Sequence, residues 1–256
     1  MAEFTDDDLA GAEFTDVRLT DARFRSVDLS GSRFRLVDLS GVTMRAVDLH
    51  NVTIDGWAEN LVINGVDVGP LIEAELDRRH PERLKLRPTD PRGFGEAWEL
   101  ISGLWASTVD RARRLPPELL NESVDEEWSF IQTLRHLVFA TDAWILRTVL
   151  GDPSPWDALD LPHDQMPNTP GVPRNLLVRP ALDEILELRV DRQSVVRRVI
   201  DELTEEKLSA MTTPVEAPGY PESQSYSVRG CLLGVIDEEW SHRQYAERDL
   251  AVLESR

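Results

Sequence analysis

The sequence predicts an α+β chain in two parts, a short β-solenoid followed by a four-helix bundle. Three observations lead there. A hydrophobic repeat of period five runs through the first 56 residues and fits neither a helix nor a flat strand. Beyond residue 93 come four long amphipathic stretches with no alternating strand pattern between them, which indicates a bundle. Proline and glycine cluster between these stretches and seldom within them. The expected division is a solenoid at 1–69, a connector at 70–92 and the bundle at 93–256.

The repeat is the first element. Phe4, Leu9, Phe14, Leu19, Phe24, Leu29, Phe34, Leu39, Met44, Leu49 and Ile54 fall in one register. Two residues before each stands a small or β-branched residue, from Ala2 through Ala12 and Val17 to Val52, with Asp7 the exception. Five helical steps of about 100° scatter such a pattern around the axis. Five is also odd, so a strand would send successive repeats to opposite faces. A coil in which each pentad forms one side buries it. The register then slips by two to Leu61, Val66 and Leu71, and Trp57 is placed to plug the open end of the coil.

These positions resemble the pentapeptide-repeat family over about residues 2–56. The resemblance implies a right-handed, four-sided β-helix of fewer than three coils. Some members of that family are long acidic rods that mimic DNA and bind topoisomerases. Three coils at about 4.8 Å per layer are too short for such a rod. The segment reads instead as a cap or a dimerisation element, which allows a homodimer.

Composition sets the next limits. With 28 Lys and Arg against 47 Asp and Glu, the net charge is −19. That argues against nucleic-acid binding and against adhesion to anionic membranes. The single cysteine, Cys231, cannot form an intrachain disulfide and reads as a core residue. No stretch approaches the roughly 18 apolar residues of a spanning helix. The start from Met1 to Asp8 is acidic and lacks the features of a signal peptide. A soluble, cytoplasmic protein is expected.

The remaining elements follow in order. A short helix from Leu71 to Arg79 ends at His80-Pro81, because the residue before proline avoids the helical region. His80 reads as a solvated helix-end residue. Four helices are expected at about 94–115, 124–150, 182–208 and 228–253. Ser123 and Glu126 have capping-box spacing for the second, and Asp183 with Glu184 favours the start of the third. Residues 151–180 hold seven of the sixteen prolines. A loop that long is functional or disordered, and with Trp156, His163 and Met166 this one is suited to fold over the bundle mouth. Residues 209–227 form a second long loop, containing Tyr220.

The chemistry concentrates on the last helix. Glu238 and His242 are four residues apart and so share a face. Such a pair can hold two positions of a metal ion. His136, in line with Ala140, Ala143 and Arg147 on the second helix, is the candidate third ligand. Three protein ligands with one free position describe a catalytic rather than a structural zinc. Taken alone, His136 also reads as a satisfied core histidine, and Glu238 with Glu239 as a solvated acidic edge. Glu239 and His242 form one Glu-x-x-His pair, but di-iron bundles need two, and a second is absent from the sequence.

The run from Glu127 to Trp144, followed by Glu238 to Tyr245, resembles the DinB-like superfamily over roughly residues 90–253. The resemblance implies a four-helix bundle holding a divalent metal, zinc or nickel. Many members use His-x-x-x-His on the last helix, and Glu238 departs from that form. In this it is similar to the mycothiol-dependent maleylpyruvate isomerase branch, whose ligands are His, Glu and His. On that match His136, Glu238 and His242 bind the metal. The resemblance also implies activation of a small thiol, such as mycothiol or bacillithiol, for S-transfer to an electrophile or for isomerisation. Arg147 would then hold a carboxylate of thiol or substrate, with a surface salt bridge as its other reading. Tyr245 would donate a hydrogen bond or proton. The reading leans toward an enzyme; a non-catalytic metal-binding bundle with an interaction cap, in a structural or stress-response role, is its alternative.

Overall fold

The computed structural model of the chain describes residues 4, 5 and 7–256. Ala2 of the pentad pattern, and Met1, Glu3 and Asp6 of the acidic start, lie outside the described residues. The chain divides into two compact units, Met1–Asn51 and Val52–Arg256.

In the first unit the backbone turns once per pentad. Gly11, Asp16, Asp21, Ser26, Gly31, Leu36, Gly41, Ala46 and Asn51 all have left-handed φ, between 52° and 75°. Alternate corners are closed by tight turns, in which the amides of Ala12, Ala22, Ser32 and Val42 donate to the carbonyls three residues earlier. Gly31 shows why glycine recurs there: at φ 74° a side chain is strained. The five-residue period is therefore a period of corners. The strand ladder of a β-helix is not shown, since no strand occurs among the described residues of this unit. Its in-register apolar side chains remain between 45% and 64% exposed, from Leu9 to Phe24. A coil seals its interior only against a layer above and a layer below, and fewer than three layers leave most side chains with an open side. Trp57 is 86% exposed.

The second unit opens with a hairpin, β1 (Val62–Ile63) and β2 (Val66–Asp67), paired antiparallel. Its turn is Asn64-Gly65, both at positive φ, the residues a two-residue hairpin turn favours. The shifted apolar register at Leu61 and Val66 thus marks a change of element. Helix α1 (Gly69–Arg79) and a 3-10 turn (Pro81–Leu86) follow. Arg83 and Arg87 pair with Glu73 and Asp77 of α1. His80 stands at the end of α1, half-buried, with its ring edge-on to Trp240 at 5.8 Å.

The bundle is α2 (Pro91–Ala112), α3 (Phe130–Thr141), α4 (Leu182–Asp201) and α6 (Val228–Glu254), with the short α5 (Glu205–Ser209) between the last two. Helix α3 packs on α4 and α6, and α2 packs on α6 and α4. All of α3 except Gln132 is buried, so it forms the spine of the core. Each large apolar side chain buried there contributes about 1.5–3 kcal/mol.

Two helix limits differ from expectation for local reasons. Asp125 and Glu126 sit at φ 50° and 64°, which no right-handed helix accepts. The capping box is therefore Ser129 with Gln132, the Gln132 amide donating to Ser129 Oγ and the Ser129 amide to Gln132 Oε1. The third stretch breaks after Asp201, and Thr204 caps α5.

The long loop is held by arginines. Arg135 is wholly buried and donates to the carbonyls of Leu159, Asp160, Asn175 and Val178. Arg174 reaches the carbonyls of His163, Asp164 and Met166. Loop residue Trp156 stacks on Phe139 at 5.6 Å. The loop thus folds back onto α3.

Where this loop meets the bundle, two carboxyls are buried. Burial pushes Asp142 up to about 6, against the pull of the paired Arg192 guanidinium. Burial, then the Asp142 charge, pushes Asp160 well above the carboxylate range. Asp160 Oδ2 accepts from the Asp157 amide at 3.2 Å, while Oδ1 is buried without a partner. A group whose folded pKa is raised contributes its full stability below the unfolded pKa and loses it as pH rises through the folded value. Asp160→Asn mimics the neutral acid. It is expected to match the wild type in melting temperature near pH 4 and to exceed it at pH 8. A difference independent of pH would contradict this assignment.

Candidate metal centre

Helix α3 carries His136 from the bundle interior, where Leu134, Leu137 and Val138 anchor the surrounding turns in the core. The His136 ring Nδ1 lies 2.9 Å from the Leu161 carbonyl oxygen. A carbonyl only accepts, so Nδ1 carries the proton and donates. In the neutral ring Nε2 is then a bare lone pair. That lone pair lies 3.4 Å from Glu238 Oε2. Helix α6 supplies the other two groups one turn apart, and His242 Nε2 is 3.1 Å from the same Oε2. One ligand atom from each residue lies within 4.8 Å of the other two.

Helices α3 and α6 therefore converge on one point, where Glu238 and His242 share a face of α6. Two imidazole nitrogens and a carboxylate oxygen facing one another need a cation among them, a proton or a metal ion. Burial alone raises the Glu238 carboxyl, but where protons are the cation, on the Nε2 of His136 and of His242, the hydrogen bonds from both rings outweigh it and hold it well below the usual carboxylate range. Burial lowers the His242 imidazole, with the Glu238 hydrogen bond opposing it. The donor set of two imidazole nitrogens and a carboxylate oxygen, with the second nitrogen of His136 hydrogen-bonded, fits a divalent cation.

Trp128 is a site residue that the sequence reading missed. Its ring lies 5.9 Å from His242, nearly parallel at 18°, and 4.6 Å from His136. It stands just before the Ser129 cap, so helix entry aims it across both imidazoles. Its place next to the cap is the only sequence signal, and the expected cap six residues upstream concealed it. Tyr245 stays beside the centre, edge-on to His242 at 5.9 Å. Burial pushes its phenol up.

Arg147 requires a correction. Its buried guanidinium donates to the carbonyls of Pro153, Val215 and Ala217. It ties the two long loops together, so the donors the structure accounts for serve loop carbonyls and not a substrate carboxylate. The cause is local: Asp142–Val149 is π-helical, with Thr148 Oγ1 bonded to the Ala143 carbonyl. Wider turns advance each residue by less than the ~100° of an α-helix, so Arg147 lags behind the stripe of His136 and Ala140.

Other residues take structural parts. Glu239 is buried against Arg189 at 2.8 Å, and Arg189 also covers the Trp105 ring. This removes Glu239 from any second metal position. Burial pushes the Cys231 thiol up to about 11, as for an inert core cysteine.

A family model for the DinB superfamily matches residues 100–246, and one for pentapeptide repeats matches nine copies over residues 9–53. No curated protein and no solved structure matches the chain.

Proposed function

The chain belongs to the DinB superfamily, and from that premise we propose that it is a metal-dependent enzyme acting on a low-molecular-weight thiol. The reaction is S-transfer to an electrophile, or isomerisation, with a thiol of the mycothiol or bacillithiol type. The observation carrying this reading is the convergence of His136 Nε2, His242 Nε2 and a Glu238 oxygen within 4.8 Å. Zinc suits that donor set, with nickel second. When bound, such an ion lowers the pKa of a coordinating thiol so that the thiolate is available near neutral pH.

The chain's own residues do the rest. The Leu161 carbonyl fixes the His136 tautomer. Trp128 restricts both imidazole rings and keeps water from their faces. Tyr245 offers its hydroxyl as a hydrogen-bond or proton donor beside His242. The partners are a small thiol and a small electrophile. At a net charge of −19, nucleic acid and anionic membrane are not among them. Among the described residues no helix is long and apolar enough to cross a membrane, and cytoplasmic location belongs to the same proposal. So does a β-helical pentapeptide segment acting as a cap or as the contact of a homodimer.

Elemental analysis of purified protein, followed by conjugation of mycothiol to monochlorobimane, tests the reading. The expected result is about one equivalent of zinc or nickel per chain and thioether formation that requires it. Metal without turnover would leave the non-catalytic bundle with its interaction cap. No bound metal, even after incubation with zinc, would remove both.

A further inference from the structure

We propose that His163 and Tyr220 form the ligand-facing wall of the metal centre, with His163 Nε2 hydrogen-bonding the small molecule that enters beside His136, Glu238 and His242. The proposal rests on the metal-centre reading above and adds a specificity residue from outside the helical bundle. His163 lies on the loop that covers α3, and Tyr220 lies on the other long loop.

The first observation is an unmatched atom. His163 Nε2 is buried without any hydrogen-bond partner. Leaving such a group unpaired costs about 1–3 kcal/mol, so a buried nitrogen of this kind calls for an explanation. The second observation is its fixed position. The His163 carbonyl accepts from Arg174 at 2.6 Å and from the Met166 amide at 3.0 Å. Two residues earlier, the Leu161 carbonyl holds His136. The ring itself meets Tyr220 edge-on at 5.1 Å. Both sides of His163 are thus anchored, and the imidazole needs little reorganisation to bind.

The third observation is where the ring stands. Tyr220 packs on Phe139 at 5.9 Å, and Phe139 lies 6.1 Å from His136. His163 is thus linked to His136 through two intervening rings, Tyr220 and Phe139. Yet His163 is outside the set of ligand atoms that lie within 4.8 Å of one another. It borders the centre without belonging to the ligand set. Burial lowers its pKa, and a neutral imidazole offers one donor and one acceptor.

These features select a ligand class, a small thiol with a hydrogen-bonding group close to its sulfur. The sulfur meets the metal, and the polar neighbour meets His163. The test uses the full chain loaded with cobalt(II), titrated with N-acetylcysteine and, separately, with 1-propanethiol, which lacks the polar group. Sulfur-to-cobalt charge-transfer absorption reports binding without turnover. His163→Phe keeps the ring packed on Tyr220 and removes the nitrogen. It is expected to weaken N-acetylcysteine about tenfold, the value of one hydrogen bond, while cobalt and propanethiol binding stay as in the wild type. His163→Gln, which restores a polar group, should recover part of the loss. Cobalt binding with equal N-acetylcysteine affinity in wild type and His163→Phe overturns this inference alone, as does cobalt binding without a thiol band in the wild type. Absence of cobalt binding overturns the metal centre, and this proposal with it.

Discussion

Replacing His242 with alanine is expected to lower affinity for zinc by more than about 100-fold, since even a lost hydrogen-bonding partner of a ligand costs 10–100-fold. The residue sits on a fully formed helix, capped by Ser227 and continuous to Glu254, so the change removes a ligand without removing a turn. The loss is therefore expected in binding and not in folding. Chelation supplies the matching measurement on the wild type. An ion present at about 1,000 times its Kd stabilises the fold by about 4 kcal/mol. In a unit of this size each kcal/mol is about 2–4 °C of melting temperature. Stripping the metal is thus expected to lower Tm by about 10 °C in the wild type and hardly at all in His242→Ala. Equal responses of the two proteins to chelator in calorimetry would show that no ion is held between α3 and α6. Glu238→Gln separates the two cations that could sit there. A proton shared among the three groups leaves zinc binding at the background of the variant, whereas a metal site loses its anionic ligand and its affinity together.

The second large effect belongs to Arg135. Its wholly buried guanidinium holds four carbonyls, at Leu159, Asp160, Asn175 and Val178. Hydrogen bonds to a charged group contribute about 1.5–3 kcal/mol each, but they do not add. Burial opposes them, lowering the Arg135 pKa. Arg135→Leu keeps most of the volume and is expected to cost about 4 kcal/mol, close to 10 °C in Tm. The functional consequence is separate and larger than a surface change would give. Leu161 follows directly after the anchored segment and orients His136. Releasing it is expected to weaken metal binding about 10–100-fold, as loss of an outer hydrogen bond to a ligand does. Hydrogen exchange checks the mechanism: amides of 158–178 should exchange faster while those of α2 and α6 stay protected. An unchanged loop in the variant would mean that the carbonyl clamp does not hold it.

Much of the centre was legible because it depends on spacing within one helix. Glu238 and His242 share a face in any α-helix, and His136 lies on the one helix apolar enough to be central. The helix starts at Leu182 and Val228 were legible for the same reason, since caps and periodicity act over a few residues, whereas the first bundle helix begins at Pro91, within the stretch expected to be connector. What failed was continuity over longer runs. The stripe from His136 to Arg147 assumed one helical register, and the π-helical turns of Asp142–Val149 rotate its far end toward the loops. The cap at Ser123 assumed that Asp125 and Glu126 would be helical, and their left-handed φ moves the start to Ser129. Trp128 was therefore read as part of the apolar helix and not of the site.

From the sequence alone came the pentad period, the number of bundle helices and the three residues that could share an ion. These are matters of interval, and an interval survives whatever the rest of the chain does. Tertiary structure decided which lone pairs meet, which arginine serves the loops, and that His163 stands beside the centre with a nitrogen unpaired. Those outcomes depend on where two proline-rich loops come to rest. No local period encodes that, because buried arginines choose the carbonyls they hold only once the bundle beneath them has formed.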